Sequence, residues 1–169
     1  YKKELMSAYT TYYYDFETHR IRVKDECIQM CIDALDSKAR NYYKERNKLL
    51  KVLYKDVTVP YQCCIISSES EHGKCFNGRD CALQMLRWIY NNTKVKTSGH
   101  EDGKKIRKGK KALLVAHNAG FDVRFLRPHL SRQEFKSRGN KLMRGNAHFY
   151  VSKGCSIELE LADSLNFIA

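Results

Sequence analysis

The 169 residues are 43% hydrophobic and 30% charged, enough for one compact domain with a core and too polar to suggest a membrane span. No apolar run approaches the roughly 20 residues that a transmembrane helix needs. Lys and Arg number 31 against 19 Asp and Glu, and the resulting +12 points to a polyanionic partner, nucleic acid being the commonest, or to a solvated basic surface.

In chain order, residues 8–16 alternate and are loaded with Tyr and Thr, which is strand chemistry. From Asp25 to about Lys55 the apolar residues recur at helical spacing, first Ile28, Cys31, Ile32 and Leu35, then Leu49, Leu50 and Leu53. That pattern predicts one long helix or two. Val57–Ser67 is β-branched and apolar, with Pro60 marking an edge or a strand start. After a loop holding His72, Gly73 and Gly78, Asp80 is placed to cap a helix from Cys81 to about Asn91. Residues 93–111 are almost wholly polar and predict a mobile basic loop. Ala112–Ala116 reads as a buried strand and Gly120–Leu130 as a helix. Phe149–Val151 and Ser156–Ala162 read as a hairpin turning at Lys153-Gly154. One α/β domain over 1–169 follows, a mixed central sheet flanked by helices with a helical insertion at about 25–55.

Seven cysteines form no regular framework, and with no secretory signal they predict mostly reduced thiols of an intracellular protein. The chain opens Tyr-Lys-Lys-Glu without an initiator Met, so a piece of a longer protein is expected. Cys63, Cys64, His72, Cys75 and Cys81 could form a zinc site, but no C-x-x-C pair occurs and buried strand or helix positions explain them better.

Asp15 and Glu17 lie two apart on the first strand, so they share a face with Cα atoms roughly 7 Å apart. Two hard oxygen donors on a rigid strand suit Mg²⁺ or Mn²⁺. The same spacing recurs at Glu69/Glu71 and Glu158/Glu160, so the pair alone also fits an ordinary strand surface. In "ALLVAHNAGFD", residues 112–122, an apolar strand delivers Asn118 and Asp122 to its C-terminal end, where open α/β sheets place their sites. The plainer reading has Asn118 capping a helix and Asp122 in its first turn.

Asp15-Phe16-Glu17-Thr18 followed by Asn118-Ala119-Gly120-Phe121-Asp122 resembles the first two exonuclease motifs of family B DNA polymerases, the protein-primed branch most closely. "VPYQCCIIS" with "CFNGRDCALQMLRWIY" resembles the segment between those motifs in virus- and transposon-borne members, and "DSLNFI" resembles the branch's S-L-x-x-hydrophobic element. The resemblance implies a ribonuclease H-like (DnaQ-like) 3′–5′ proofreading exonuclease domain in which Asp15, Glu17 and Asp122 are metal ligands for two Mg²⁺ or Mn²⁺ ions. It implies that Thr18, Asn118 and Phe121 contact the single-stranded primer end, and that Ser164 and Leu165 contact single-stranded DNA or a terminal protein primer. Residues 25–55 have no counterpart in it.

The family's third motif, Y-x-x-x-D, does not occur: no Tyr is followed by Asp four positions later. The chain is therefore expected to be truncated before that motif and to have little or no exonuclease activity alone, within a DNA polymerase of a virus, plasmid or large transposon acting in a host cytoplasm, nucleus or organelle. The alternatives are a stand-alone DEDD-type exonuclease and a non-catalytic single-strand-binding module of the same fold.

Overall fold

A computed structural model describes residues 9–98, 107–139 and 141–166. The Tyr/Thr-rich alternation forms β1 (Thr10–Ile21), followed by two helices, α1 (Asp25–Asp33) and α2 (Tyr42–Leu53). Next come β2 (Val57–Ser67), β3 (Lys74–Asn77), α3 (Cys81–Asn92), β4 (Val95–Ser98) and β5 (Arg107–Ala116). A short helix, α4 (Ala119–Leu126), leads through a 3₁₀ turn at Arg127–His129 into β6 (Ser131–Arg138), β7 (Lys141–Ser152) and β8 (Cys155–Asp163). A second 3₁₀ turn spans Ser164–Asn166.

The described strands make one mixed sheet in the order β3-β2-β1-β5-β8-β7-β6, with β4 also paired to β5. The centre is parallel: Thr10–Tyr13 of β1 run beside Ala112–Val115 of β5, and β5 runs beside β8 up to the pair Ala116 and Asp163. β4 meets the polar start of β5 antiparallel, pairing Val95 with Lys110. The outer pairs β2–β3, β7–β8 and β6–β7 are antiparallel.

Alternation along β1 sends Tyr12, Tyr14 and Phe16 into the core, where they join Met85, Leu86 and Ile89 of α3 and Val123 and Leu126 of α4. Tyr12 meets Trp88 edge-on at 5.9 Å, and Phe16 meets Phe125 at 5.4 Å. β5 is buried on both faces, since Leu113 and Val115 are as inaccessible as Ala112 and Leu114. That is why its sequence reads as a continuous apolar run rather than an alternation. Each fully buried Leu here, such as Leu114 or Leu159, contributes on the order of 2 kcal/mol from burial.

Several expectations change. The polar segment 93–111 is paired strand at both ends, because β4 and the first half of β5 form a ladder; the expected loop is thereby reduced to residues 99–106, which lie outside the described residues. The helix expected over Gly120–Leu130 ends at Leu126, where Pro128 can no longer donate a helical hydrogen bond. Asp80 does not cap α3 with its side chain; its Oδ1 accepts from Gln84 Nε2 at 2.8 Å instead. Cys64 and Cys75, opposite one another on β2 and β3, form a disulfide, and the other five cysteines are free thiols. No zinc cluster exists among the described residues. The described residues up to Glu17 and from Pro60 onward make one compact unit, and Thr18–Val59, which contains the helical insertion, makes a second. No described helix is long and apolar enough to cross a membrane.

Candidate active site

The parallel pairing of the adjacent strands β1, β5 and β8 leads to acidic residues at or beyond the end of that pairing. On β1 it is Asp15, two residues beyond the Tyr13–Val115 pair. On β8 it is Asp163, beside Ala116. Beyond β5 the chain turns at His117 and Asn118 into α4, whose first turn holds Asp122.

Asn118 makes that turn in the left-handed conformation, φ 55°, which Asn tolerates better than most residues. Its side chain caps nothing. The buried Asp163 carboxylate caps the helix instead: Oδ1 accepts from Asn118 N at 3.1 Å and from Leu165 N at 3.0 Å, and Oδ2 accepts from Ala119 N at 3.1 Å. One side chain thus fixes the turn after β5 and the turn after β8 together. Sequence reasoning missed Asp163, although an apolar strand ending in an acidic residue was its signal.

Asp122 is buried, and its Oδ1 accepts from Phe16 N at 3.3 Å across 106 residues of chain. Burial and then the neighbouring Asp15 charge push its carboxyl up to about 7, against the opposing pull of the Phe16 N–H, its own N–H and Arg124. Asp15 and Glu17 are both exposed. Neither has an ion pair among the described residues, whereas Glu158 is bound to Lys111 at 2.8 Å and Glu160 to Arg144 at 2.7 Å. Glu69 accepts from the Thr10 hydroxyl at 3.1 Å. The uncommitted carboxylate pair is therefore Asp15/Glu17, and the other acidic pairs of that spacing have members occupied elsewhere.

Asp15, His117 and Ser164 line an open cleft of about 400 Å³ with Tyr13 and Val115 on its walls. His117 Nδ1 lies 3.1 Å from Ser164 Oγ. Phe121 is half-buried and packs edge to face on Phe125 at 5.4 Å. Leu165 is half-buried in the 3₁₀ turn that Asp163 pins. Thr18 is half-buried and is the first residue of the second unit. Asp15 and Asp122 thus come within electrostatic reach of one another, and Asp15 and Ser164 share a cleft. Asp15, Glu17 and Asp122 do not close into a metal cage: no group of three or more His, Cys, Asp or Glu is placed to hold an ion among the described residues.

Tyr14 contributes what the sequence did not suggest. Its hydroxyl is buried without a hydrogen-bond partner among the described residues. Burial foremost, then the fields of Asp122, Cys63 and Asp163, holds its phenol well above the ordinary tyrosine range.

Fold and site together define a mixed α/β protein with acidic side chains gathered where the parallel pairing of β1, β5 and β8 ends. No family model matches the chain, and no curated protein matches its sequence. Among solved structures it is similar to Phi29 DNA polymerase in complex with primer-template DNA and incoming nucleotide, at 14% identity and TM-score 0.46 over 93% of this chain. It is similar also to that polymerase with single-stranded DNA, at 16% identity and TM-score 0.44. The chain spans 21% of the length of those polymerase chains.

Proposed function

We propose that this chain is the 3′–5′ proofreading exonuclease region of a protein-primed family B DNA polymerase, with a ribonuclease H-like sheet. The observation that carries the reading is the Asp15–Asp122 pair. Two carboxylates from distant parts of the chain are held close enough for one to raise the other's pKa, on a sheet end where ligands bind. A divalent ion would relieve that repulsion, and hard oxygen donors suit Mg²⁺ or Mn²⁺. Asp15, Glu17 and Asp122 would hold it together with at least one further donor. When bound, a pair of such ions activates water and stabilises the departing 3′ oxygen.

The chain's own residues would do the rest. Asn118 and Phe121 meet the terminal nucleotides at the entrance to α4, and Thr18 is the further primer contact that the family resemblance implies. Ser164 and Leu165 meet the single strand or the terminal protein. The basic surplus draws DNA in without reading its sequence. The parent enzyme would polymerise DNA inside the host cell of a virus, plasmid or transposon.

The test is digestion of a 3′-mismatched primer by the intact parent protein with Mg²⁺, compared with Asp15→Ala and Asp122→Ala. Loss of digestion in both variants with unchanged melting supports the reading, and undiminished digestion sinks it. A second reading has its own observation. The lack of a three-donor group among the described residues favours a non-catalytic single-strand-binding module. That module would bind oligonucleotides equally well in all three proteins and digest with none.

A further inference from the structure

Arg124 is exposed on α4, and its guanidinium carbon lies 3.8 Å from the ring centroid of Phe121 and 5.1 Å from that of Phe125. The fork is planar, so stacking on a ring leaves the N–H donors around its rim directed outward. Among the described residues no carboxylate forms an ion pair with it. Arg127, three residues on, is different. Its guanidinium lies 4.9 Å from the Phe135 ring, its Nε donates to Gln133 Oε1 at 3.3 Å, and Gln133 Nε2 donates back to the Arg127 carbonyl at 2.9 Å. Arg127 is built into a turn, whereas Arg124 is held over the Phe121 ring, its charge acting on the buried Asp122 but in no ion pair with a carboxylate among the described residues. An exposed guanidinium restrained by a ring and left without an ion pair is preorganised for a phosphate contact.

We propose that Arg124 binds a backbone phosphate of single-stranded DNA, with the Phe121 ring restraining its guanidinium for that contact. The inference rests on the reading that the strand's 3′ end lies at Asp15 and Asp122. It adds a charged contact that none of the family-like motifs contains, since position 124 falls between Asp122 and Phe125 and outside both.

The experiment measures binding of an oligo-dT by the intact protein in EDTA, across a salt series, for the parent sequence, R124Q, R124K and K153Q. Lys153 is an exposed cation at the β7–β8 turn, at the opposite end of β8 from Asp163. R124Q is expected to weaken binding about tenfold and to lower the slope of log affinity against log salt by about 0.7, the share of one phosphate contact. R124K keeps the slope and weakens binding by roughly twofold to fivefold, because it keeps the charge without the fork. K153Q leaves affinity and slope unchanged. The proposal is overturned if R124Q binds as the parent does, if K153Q loses as much as R124Q, or if the parent does not bind oligo-dT. Mg²⁺-dependent digestion is scored separately in the intact parent polymerase and in its Asp122→Ala and R124Q variants. Weakened R124Q binding without digestion by any protein keeps the phosphate contact and sinks the exonuclease reading. Digestion that Asp122→Ala abolishes, with R124Q binding unchanged, does the reverse.

Discussion

Tyr12 and Tyr14 project from the same face of β1 into the same core, yet only one hydroxyl has a partner. Tyr12 OH lies 2.9 Å from Thr93 Oγ1, which in turn donates to the Ile89 carbonyl at 2.7 Å, while the buried Tyr14 OH has none. Removing a satisfied hydroxyl forfeits its bond and leaves Thr93 short of a partner, whereas removing an orphaned one relieves a desolvation cost. Tyr12→Phe is therefore expected to lower stability by about 1 kcal/mol, and Tyr14→Phe to leave it unchanged or raise it by about 1 kcal/mol. Urea melts of both variants check the contrast, and equal losses would contradict it. Asp122 gives the second prediction at this scale. Its carboxyl titrates at about 7 when folded, against 3.8 for an ordinary aspartate. Between those values the folded protein keeps a proton that the unfolded chain releases, so stability falls as pH rises through the window and levels off above it. Asp122→Asn keeps an Oδ1 acceptor for the Phe16 N–H and removes the buried charge. It should stabilise the protein at pH 8 by on the order of 2 kcal/mol in EDTA, with the gain vanishing near pH 4. Thermal melts at the two pH values decide this, and a pH-independent difference would refute it.

At the scale of elements, β6 and β7 are joined by a contact that only Gly permits. A Cβ on Gly145 would sit 2.4 Å from Phe135 Cδ1 and 2.6 Å from Cε1, so the ring lies across the glycine of the neighbouring strand. Gly145→Ala must push the ring aside and is expected to cost about 1–2 kcal/mol. The same change made with Phe135→Ala should cost little, so a double-mutant cycle reads the contact directly. Such contacts explain which elements could be read from the sequence. β1, α3, the Ala112–Ala116 half of β5 and the turn between β7 and β8 announce themselves because burial imposes a period or a continuous apolar run on each, whereas β7 begins at Lys141, eight residues before the expected Phe149. β6 has no such mark: every residue from Ser131 to Arg138 except Phe135 is exposed, and Phe135 finds its place against Gly145 of the neighbouring strand and beneath Arg127. β4 likewise exists through its partner, since Val95–Ser98 is polar apart from Val95 and is a strand because β5 supplies the ladder. The site was legible to a similar degree. Asp15, Asn118 and Asp122 stand out through their motifs, but that Asp163 holds the Asn118 turn depends on β5 and β8 being neighbours, which local sequence does not state.

For the whole molecule, the division into two compact units predicts what is dispensable. α2 buries none of its residues and α1 buries only Ile28, so the 25–54 segment takes little part in any core. It also takes little part in the electrostatics: it holds six Lys or Arg against five Asp or Glu, +1 of the total +12. The remaining +11 is carried by the rest of the chain, and a long-range field of that sign is what recruits a polyanion. β1 and β2 are neighbours in the sheet, so a short turn can join them at modest loop-closure cost. Replacing residues 25–54 with a short Gly/Ser turn should therefore leave the melting temperature within a few degrees and reduce helical circular dichroism. Oligo-dT affinity and its salt slope should stay within about twofold and about 0.7, the share of one phosphate contact. A shortened protein that folds and melts normally but no longer binds the oligonucleotide would place the nucleic-acid surface on residues 25–54 and move the candidate site away from the sheet end.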